Sequence, residues 1–237
     1  MQSISTRLFL GVLLTGILPI VAQAATAFGP TPYLQTGDTP IGFYCPQCSD
    51  PLHIETFEDN ALDSFLTIDN GDILLPNTFS GLADPVTDSV DGDDGVVDGN
   101  GNGGHSWFTG SNASDDNSVT ITFGSLVTSA GLVFTDGDSA STNISLEAFD
   151  AMGNSIGLIN AGDLADGTFT GETAEDTFLG FNDVNGIASI TLTMDAGLGI
   201  EIDHIQWQDC VDCVPEPASL GMALFGFIGL LSTRRRR

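Results

Sequence analysis

The chain has 237 residues, 32 of them acidic and five basic, for a formal net charge of −27. The cations are Arg7 and Arg234 to Arg237, so the long stretch between them has no Lys or Arg to neutralise a phosphate or close a salt bridge, which excludes nucleic acids and anionic membrane surfaces as partners. Self-repulsion on this scale opposes a compact state unless counter-ions screen or bind it, so cations belong to the working state of the protein.

Arg7 precedes an apolar run from Leu8 to Val21, and Ala22-Gln23-Ala24 is a small-x-small site, so residues 1–24 read as a secretory signal peptide cleaved after Ala24 and exported by the Sec machinery. Residues 25–51 form the next segment. It is rich in Pro, Gly and Thr as far as Phe43, reads as an extended arm and carries Cys45-Pro46-Gln47-Cys48. Residues 52–213 form the third. Short apolar, β-branched runs alternate there with Gly/Asp/Asn clusters, which predicts an all-β fold, an antiparallel β-sandwich. Strands are expected at Ser118–Phe123, Ala130–Phe134, Asn143–Phe149, Phe178–Phe181, Ile187–Met194 and Ile200–Trp207. In the last, Ile200 and Ile202 share one parity and Ile205 and Trp207 the other, so a bulge at Asp203-His204 is needed to keep all four in the core. The stretch from Asp84 to Gly104 is dense in Asp, Gly and Asn and reads as loop. The last segment, residues 214–237, opens with Val214-Pro215-Glu216-Pro217, continues with an apolar run from Ala218 to Leu231 and ends in the four arginines. As a helix that run reaches roughly 21 Å, against about 30 Å for a bilayer core. It suits a transient anchor with its arginines left in the cytoplasm, a permanent single-pass anchor being the alternative.

The acids comprise 25 Asp and 7 Glu. Asp suits turns, where it bonds the local backbone, and Ca²⁺ loops, where it supplies hard oxygen ligands. Asp98-Gly99-Asn100-Gly101-Asn102-Gly103 matches the front of an EF-hand loop, but Thr109 stands where a bidentate Glu belongs, so an EF-hand is rejected. What remains is a simpler Ca²⁺ loop of Asp98, Asn100 and Asn102 joined by Asp88, Asp91, Asp93 and Asp94, or a solvated loop. Cys45 and Cys48 with Cys210 and Cys213 are two CxxC pairs, read as two disulfides in an oxidising compartment, as a four-thiolate Zn²⁺ site or as a redox pair. Connectivity is not derivable; Cys45 with Cys213 and Cys48 with Cys210 suits antiparallel neighbours. His105-Ser106 has no Gly-x-Ser-x-Gly elbow to support a hydrolase, and Glu172 with Glu175 is a weak glycosidase pair, so no catalytic residues are assigned. Trp107-Phe108, read as loop, is a candidate sugar-stacking pair or core.

The tail of Pro215, Glu216 and Pro217, apolar run and arginine block resembles the PEP-CTERM sorting signal. That resemblance implies processing by an exosortase and delivery to the cell surface or extracellular matrix. The region from Phe57-Glu58-Asp59 through Asp88–Gly95, Gly104-His105-Ser106 and Gly171–Asp176 to Gly199–His204 is similar to an ectodomain that recurs ahead of such tails, which implies a jelly-roll-like sandwich. Similarity to galactose-binding-like carbohydrate-binding modules further implies a cation between the first and last strands, held by Glu58, Asp59, Glu201 and Asp203. The expected role is structural or adhesive within an exopolysaccharide or biofilm layer and not enzymatic. A lectin-like carbohydrate-binding module is the alternative, and an enzyme acting on polysaccharide comes third.

Overall fold

The computed structural model describes residues 24–76, 87–90, 104–110, 117–137, 143–164, 175–195 and 199–210. The predicted signal segment before Ala24 and the sorting segment lie outside them, and among the described residues no helix is long and apolar enough to cross a membrane. The strands are β1 Thr26–Pro32, β2 His53–Glu55, β3 Leu66–Ile68, β4 Asp72–Leu74, β5 Ser106–Phe108, β6 Ser118–Gly137, β7 Asn143–Phe149, β8 Ser155–Asp163, β9 Thr177–Met194 and β10 Ile200–Gln208. A 3-10 turn spans Thr36–Asp38. All strand pairs are antiparallel, in the order β4-β5-β10-β6-β9-β7-β8, with β1 on β9, β2 on β10 and β3 on β6.

Two long strands make a sandwich out of this one sheet. β6 and β9 pair from Ser118↔Thr193 to Thr122↔Ser189, lose register around Val127, and pair again from Ser129↔Asn182 to Phe134↔Thr177. Extra residues at that break bend both strands, so their two halves line opposite walls of one core. The first half of β6 meets β3, and the second half of β9 meets β7. The second half of β6 meets β10, and the first half of β9 meets β1. Val119, Ile121, Leu146, Ile190 and Leu192 from one wall join Leu132, Phe134, Leu179, Ile202 and Trp207 from the other in a single apolar cluster. The runs expected at Ser118–Phe123 and Ala130–Phe134 are thus one strand, as are those at Phe178–Phe181 and Ile187–Met194. Along the latter, Ile190, Leu192 and Met194 are buried while Ser189, Thr191 and Thr193 are partly exposed, the expected alternation.

The bulge in β10 is where the parity change required it. Pairing to β6 shifts between Asp203 and Gln206, His204 takes a positive φ of 42°, and Ile200, Ile202, Ile205 and Trp207 all reach the main core. The N-terminal arm is part of the sheet: β1 pairs with β9, and Tyr33 and Phe43 are fully buried with Val90, Val133 and Phe178 in a second cluster on the outer face. Facing glycines make room for it. Gly131 is the cross-strand partner of Gly180, and a Cβ on Gly180 would sit 2.8 Å from the Phe43 ring and 2.9 Å from that of Phe178.

Cys48 and Cys210 form a disulfide with Cα atoms 5.9 Å apart, closing 162 residues of sequence. Cys45 is also disulfide-bonded; Cys213 lies outside the described residues. Tying the arm to the residue two past the end of β10 restricts the unfolded chain over nearly the whole domain. Replacing Cys45, Cys48, Cys210 and Cys213 together by Ser, so that no bridge still closes this loop, should lower stability by about 2–4 kcal/mol, read from urea unfolding of the full-length protein. An unchanged midpoint would show that the staple holds nothing.

Candidate functional site

The bulged strand β10 buries both faces, and its outward face carries Glu201, Asp203, His204, Gln206 and Gln208. Each has a defined polar partner from the arm, from Asp88–Val90 or from β5. Glu201 Oε1 accepts the Asp88 N–H at 2.7 Å and a short bond from the Ser106 hydroxyl. Asp203 Oδ2 accepts the Val90 N–H at 3.0 Å and lies 3.1 Å from Ser89 Oγ, and Oδ1 accepts the His204 N–H at 2.6 Å. Gln206 Nε2 donates to the Tyr33 hydroxyl at 2.8 Å, which lies 3.1 Å from His204 Nδ1. Burial holds the Tyr33 phenol well above its usual range, so it is neutral and its proton is available to His204. Gln208 accepts the Cys45 N–H at 2.7 Å and donates to the Cys45 and Asp50 carbonyls.

Acids concentrate at one end of this row. Glu201 is 3% exposed, Asp88 1% and Asp203 0%, and Asp136, also buried, stands directly across from Glu201 on β6. Burial, then the Asp88 carboxylate, push the Glu201 carboxyl well above the usual carboxylate range; the Ser106 hydroxyl opposes this and Asp136 adds to it. Like charges directly opposite in a sheet repel, and this chain has no basic side chain between Arg7 and Arg234 to answer them.

The two acidic sets expected separately therefore meet. Asp88 reaches Glu201, and Glu58 reaches Asp203 through Ser89, whose Oγ is 3.4 Å from Glu58 Oε1. Glu58 Oε1 also accepts the His105 N–H. Asp59 does not join them; its carboxylate caps the Ala61 N–H at 3.0 Å. Asp91, Asp93, Asp94, Asp98, Asn100 and Asn102 lie outside the described residues, as do Glu172, Cys213, Pro215, Glu216 and Pro217. Among the described residues no group of three or more His, Cys, Asp or Glu side chains makes a metal-holding set. Asp136 and Ser106 were not anticipated as neighbours of Glu201: strand register sets Asp136 opposite it, and the Ser106 hydroxyl reaches it from β5.

His105 Nδ1 lies 3.1 Å from the Phe57 carbonyl while Ser106 bonds Glu201, so the two adjacent side chains engage different partners. Glu175 is buried at the entry to β9. Trp107 belongs to strand β5 and not to a loop; its ring is 7% exposed in the main core and its Nε1–H donates to the Asn70 carbonyl at 2.8 Å. Burial removes it as a sugar platform.

Residues 214–237 match the PEP-CTERM protein-sorting motif. This chain carries a PEP-CTERM sorting segment. The PEP-CTERM match covers the tail alone, and no curated protein matches the chain. Among solved structures, the chain is similar to the CBM22-1–GH10 modules of Clostridium thermocellum endo-1,4-beta-D-xylanase 10B, complexed with xylohexaose. That alignment has 15% identity and a TM-score of 0.37, covering 66% of this chain and 28% of that one. It is also similar to the C-terminal family 22 carbohydrate-binding module of the same enzyme, at 12% identity and a TM-score of 0.35, covering 69% of this chain and 96% of that one.

Glu201 gives a pH signature in metal-free protein. A carboxyl whose folded pKa is raised contributes stability fully below its unfolded value, about 4.3, and loses it as pH rises through the folded value. In chelator at fixed ionic strength, the melting temperature of wild type minus that of Glu201→Gln should therefore fall between pH 5 and pH 8. A flat difference by calorimetry would mean Glu201 is not desolvated as described.

Proposed function

We propose that this PEP-CTERM protein is exported cargo for an extracellular polysaccharide layer. The Sec machinery translocates it, an exosortase processes its tail, and the ectodomain, a sandwich of jelly-roll or galactose-binding-like type, serves there as a structural or adhesive element without catalysis. The observation that carries the reading is the sorting motif over residues 214–237. It is supported by an all-β, disulfide-stapled domain suited to life outside the cytoplasm. Changing Pro215, Glu216 and Pro217 together to Ala should leave the protein unprocessed in the membrane fraction. Normal release in cell fractionation would overturn the sorting role.

In this reading the ectodomain takes up Ca²⁺. Support comes from the buried carboxylates of Glu201, Asp88 and Asp203, with Asp136 opposite Glu201 and no Lys or Arg to answer them; by themselves these do not make a metal-holding set among the described residues, so further oxygens are needed. Glu58 adjoins them, and Asp91, Asp93, Asp94, Asp98, Asn100 and Asn102 are further candidate ligands. A bound Ca²⁺ would supply the positive charge this cluster lacks. Zn²⁺ on the cysteines is the weaker cofactor reading, since Cys48 and Cys210 joined as a disulfide offer no thiolate.

A ligand that binds only the folded form raises its stability, by about 2.7 kcal/mol at a hundredfold excess over Kd. Calcium at fixed ionic strength should raise the melting temperature of the wild-type protein and have much less effect on Glu201→Gln. Equal shifts in both, or no shift in either, would remove the cation from this site. Recognition of a defined glycan is the alternative within the same reading, and the cleft described next is the feature that favours it.

A further inference from the structure

Beside the Cys48–Cys210 staple lies a cleft of about 460 Å³, where β2, the turn before β3 and the bend of β6 meet the end of β10. Its floor is a stack of three rings. His53 lies parallel to Trp207 at 5.3 Å and 10°, and Phe65 lies parallel to Trp207 at 5.7 Å and 11°. Trp207 is nearly buried between its neighbours, whereas Phe65 is half-buried and the His53 side chain is 41% exposed. Asp50, Asp63 and Asp209 stand around these rings.

The carboxylates differ in what engages them. Asp50 is occupied, with Oδ1 3.2 Å from His53 Nε2 and Oδ2 accepting the Asp209 N–H at 3.0 Å. Asp63 uses Oδ1 to cap the Phe65 N–H at 2.8 Å. Among the described residues no donor engages Asp63 Oδ2 or the Asp209 carboxylate. Between Arg7 and Arg234 the sequence supplies no Lys or Arg for them.

We infer that this cleft binds a saccharide bearing protonated amines, such as a de-N-acetylated amino-sugar polymer. Three classes of saccharide are distinguishable here by charge. An acidic sugar is repelled by the cleft and by a net charge of −27. A neutral sugar can cover the exposed ring surface but desolvates two carboxylates without a counter-charge, which is costly. A protonated amino sugar lays its apolar face on Phe65 and His53, as sugars do on aromatic rings, and places ammonium groups against Asp63 Oδ2 and Asp209, with further attraction to the ring faces. The oxygens flank a ring stack and do not converge on one point, which suits a ligand of saccharide size better than a bare metal ion.

The inference names the ligand class of the proposed polysaccharide layer and so rests on that reading. Its test is titration calorimetry of the full-length protein with a glucosamine hexasaccharide, its fully N-acetylated counterpart, a neutral glucose hexasaccharide and spermine, at two ionic strengths. The expected result is salt-sensitive binding of the glucosamine oligomer that weakens at least about tenfold in Asp63→Asn/Asp209→Asn. Asn keeps the Oδ1 acceptor that caps Phe65, so this variant folds, as its melting temperature will confirm. Asp163→Asn/Asp195→Asn removes the same charge on exposed strand-end residues outside the cleft and should bind as wild type does. Equal weakening in both double variants would make the attraction one of bulk charge and overturn the proposal. Spermine binding as tightly as the oligosaccharide would overturn its saccharide part. Acetylated or neutral oligomers that bind regardless of Asp63 and Asp209 would overturn the cleft while leaving the polysaccharide role standing, and failure of every saccharide to bind would remove both.

Discussion

β10 must satisfy two chemistries in nine residues, and the rest of the fold is arranged around that demand. Its inner side chains, Ile200, Ile202, Ile205 and Trp207, close the main core. Its outer side chains are polar and just as buried. A buried polar group left without a partner costs roughly 1–3 kcal/mol, so each partner is fixed in place by the group it serves. Tyr33 and Thr39 answer His204 and Gln206. The Cys45 backbone answers Gln208, and Asp88–Val90 answers the two acids. An arm that reads as an appendage in the sequence is therefore the outer layer of the domain. Aromatic packing of Phe43 against Phe178 at 4.9 Å adds the apolar part of the same attachment.

A domain rich in carboxylates and without Lys or Arg needs positive ends from somewhere, and among the described residues its own backbone N–H groups supply many of them. Asp59, Asp63, Asp150 and Asp183 each accept an N–H from two residues further along. This short-range geometry suits the short Asp side chain and accounts for part of the excess of Asp in turns. Glu55, one of the few glutamates, accepts the Phe57 N–H two residues on with one oxygen and reaches the Asp63 N–H with the other. Asp59 and Asp63, capped in this way, remain exposed to water, whereas Asp183 is buried. The compositional bias alone thus says little about metal binding. The buried pair facing across β10 and β6, Glu201 and Asp136, is a different case: two carboxylates stand directly opposite each other, and the sequence has no Lys or Arg between Arg7 and Arg234 to lie between them.

The sequence made the local patterns legible and hid the long-range ones. Alternation along Ile187–Met194 and the parity change at Asp203-His204 are properties of single strands, and both reappear in the structure. The likeness of Cys48 and Cys210 to antiparallel neighbours also stands, since both flank the β2–β10 pair. Merged strands escaped notice because Gly124 and Ser125 look like a loop, whereas they form the exposed bend of β6. β8 has too little apolar alternation to announce itself; Leu158 is 54% exposed and β7 supplies its pairing. Asp136 and the ring stack around Trp207 depend on register between segments more than 60 residues apart. No window along the chain contains that information.

The position of the staple bears on how such a domain would hold when tethered. Any pull through the chain beyond Cys210 enters the fold at the end of β10, a strand paired with β6 on one side and with β5 and β2 on the other. Removing it requires breaking both ladders together, not peeling an edge. The disulfide diverts part of the same pull into the arm, which is anchored by β1 on β9 and by the buried rings of Tyr33 and Phe43. A load at the C-terminal side is thereby shared between the first and last elements of the sheet. The chain therefore runs on toward the sorting segment of residues 214–237 from a strand that is both doubly paired and stapled to the arm.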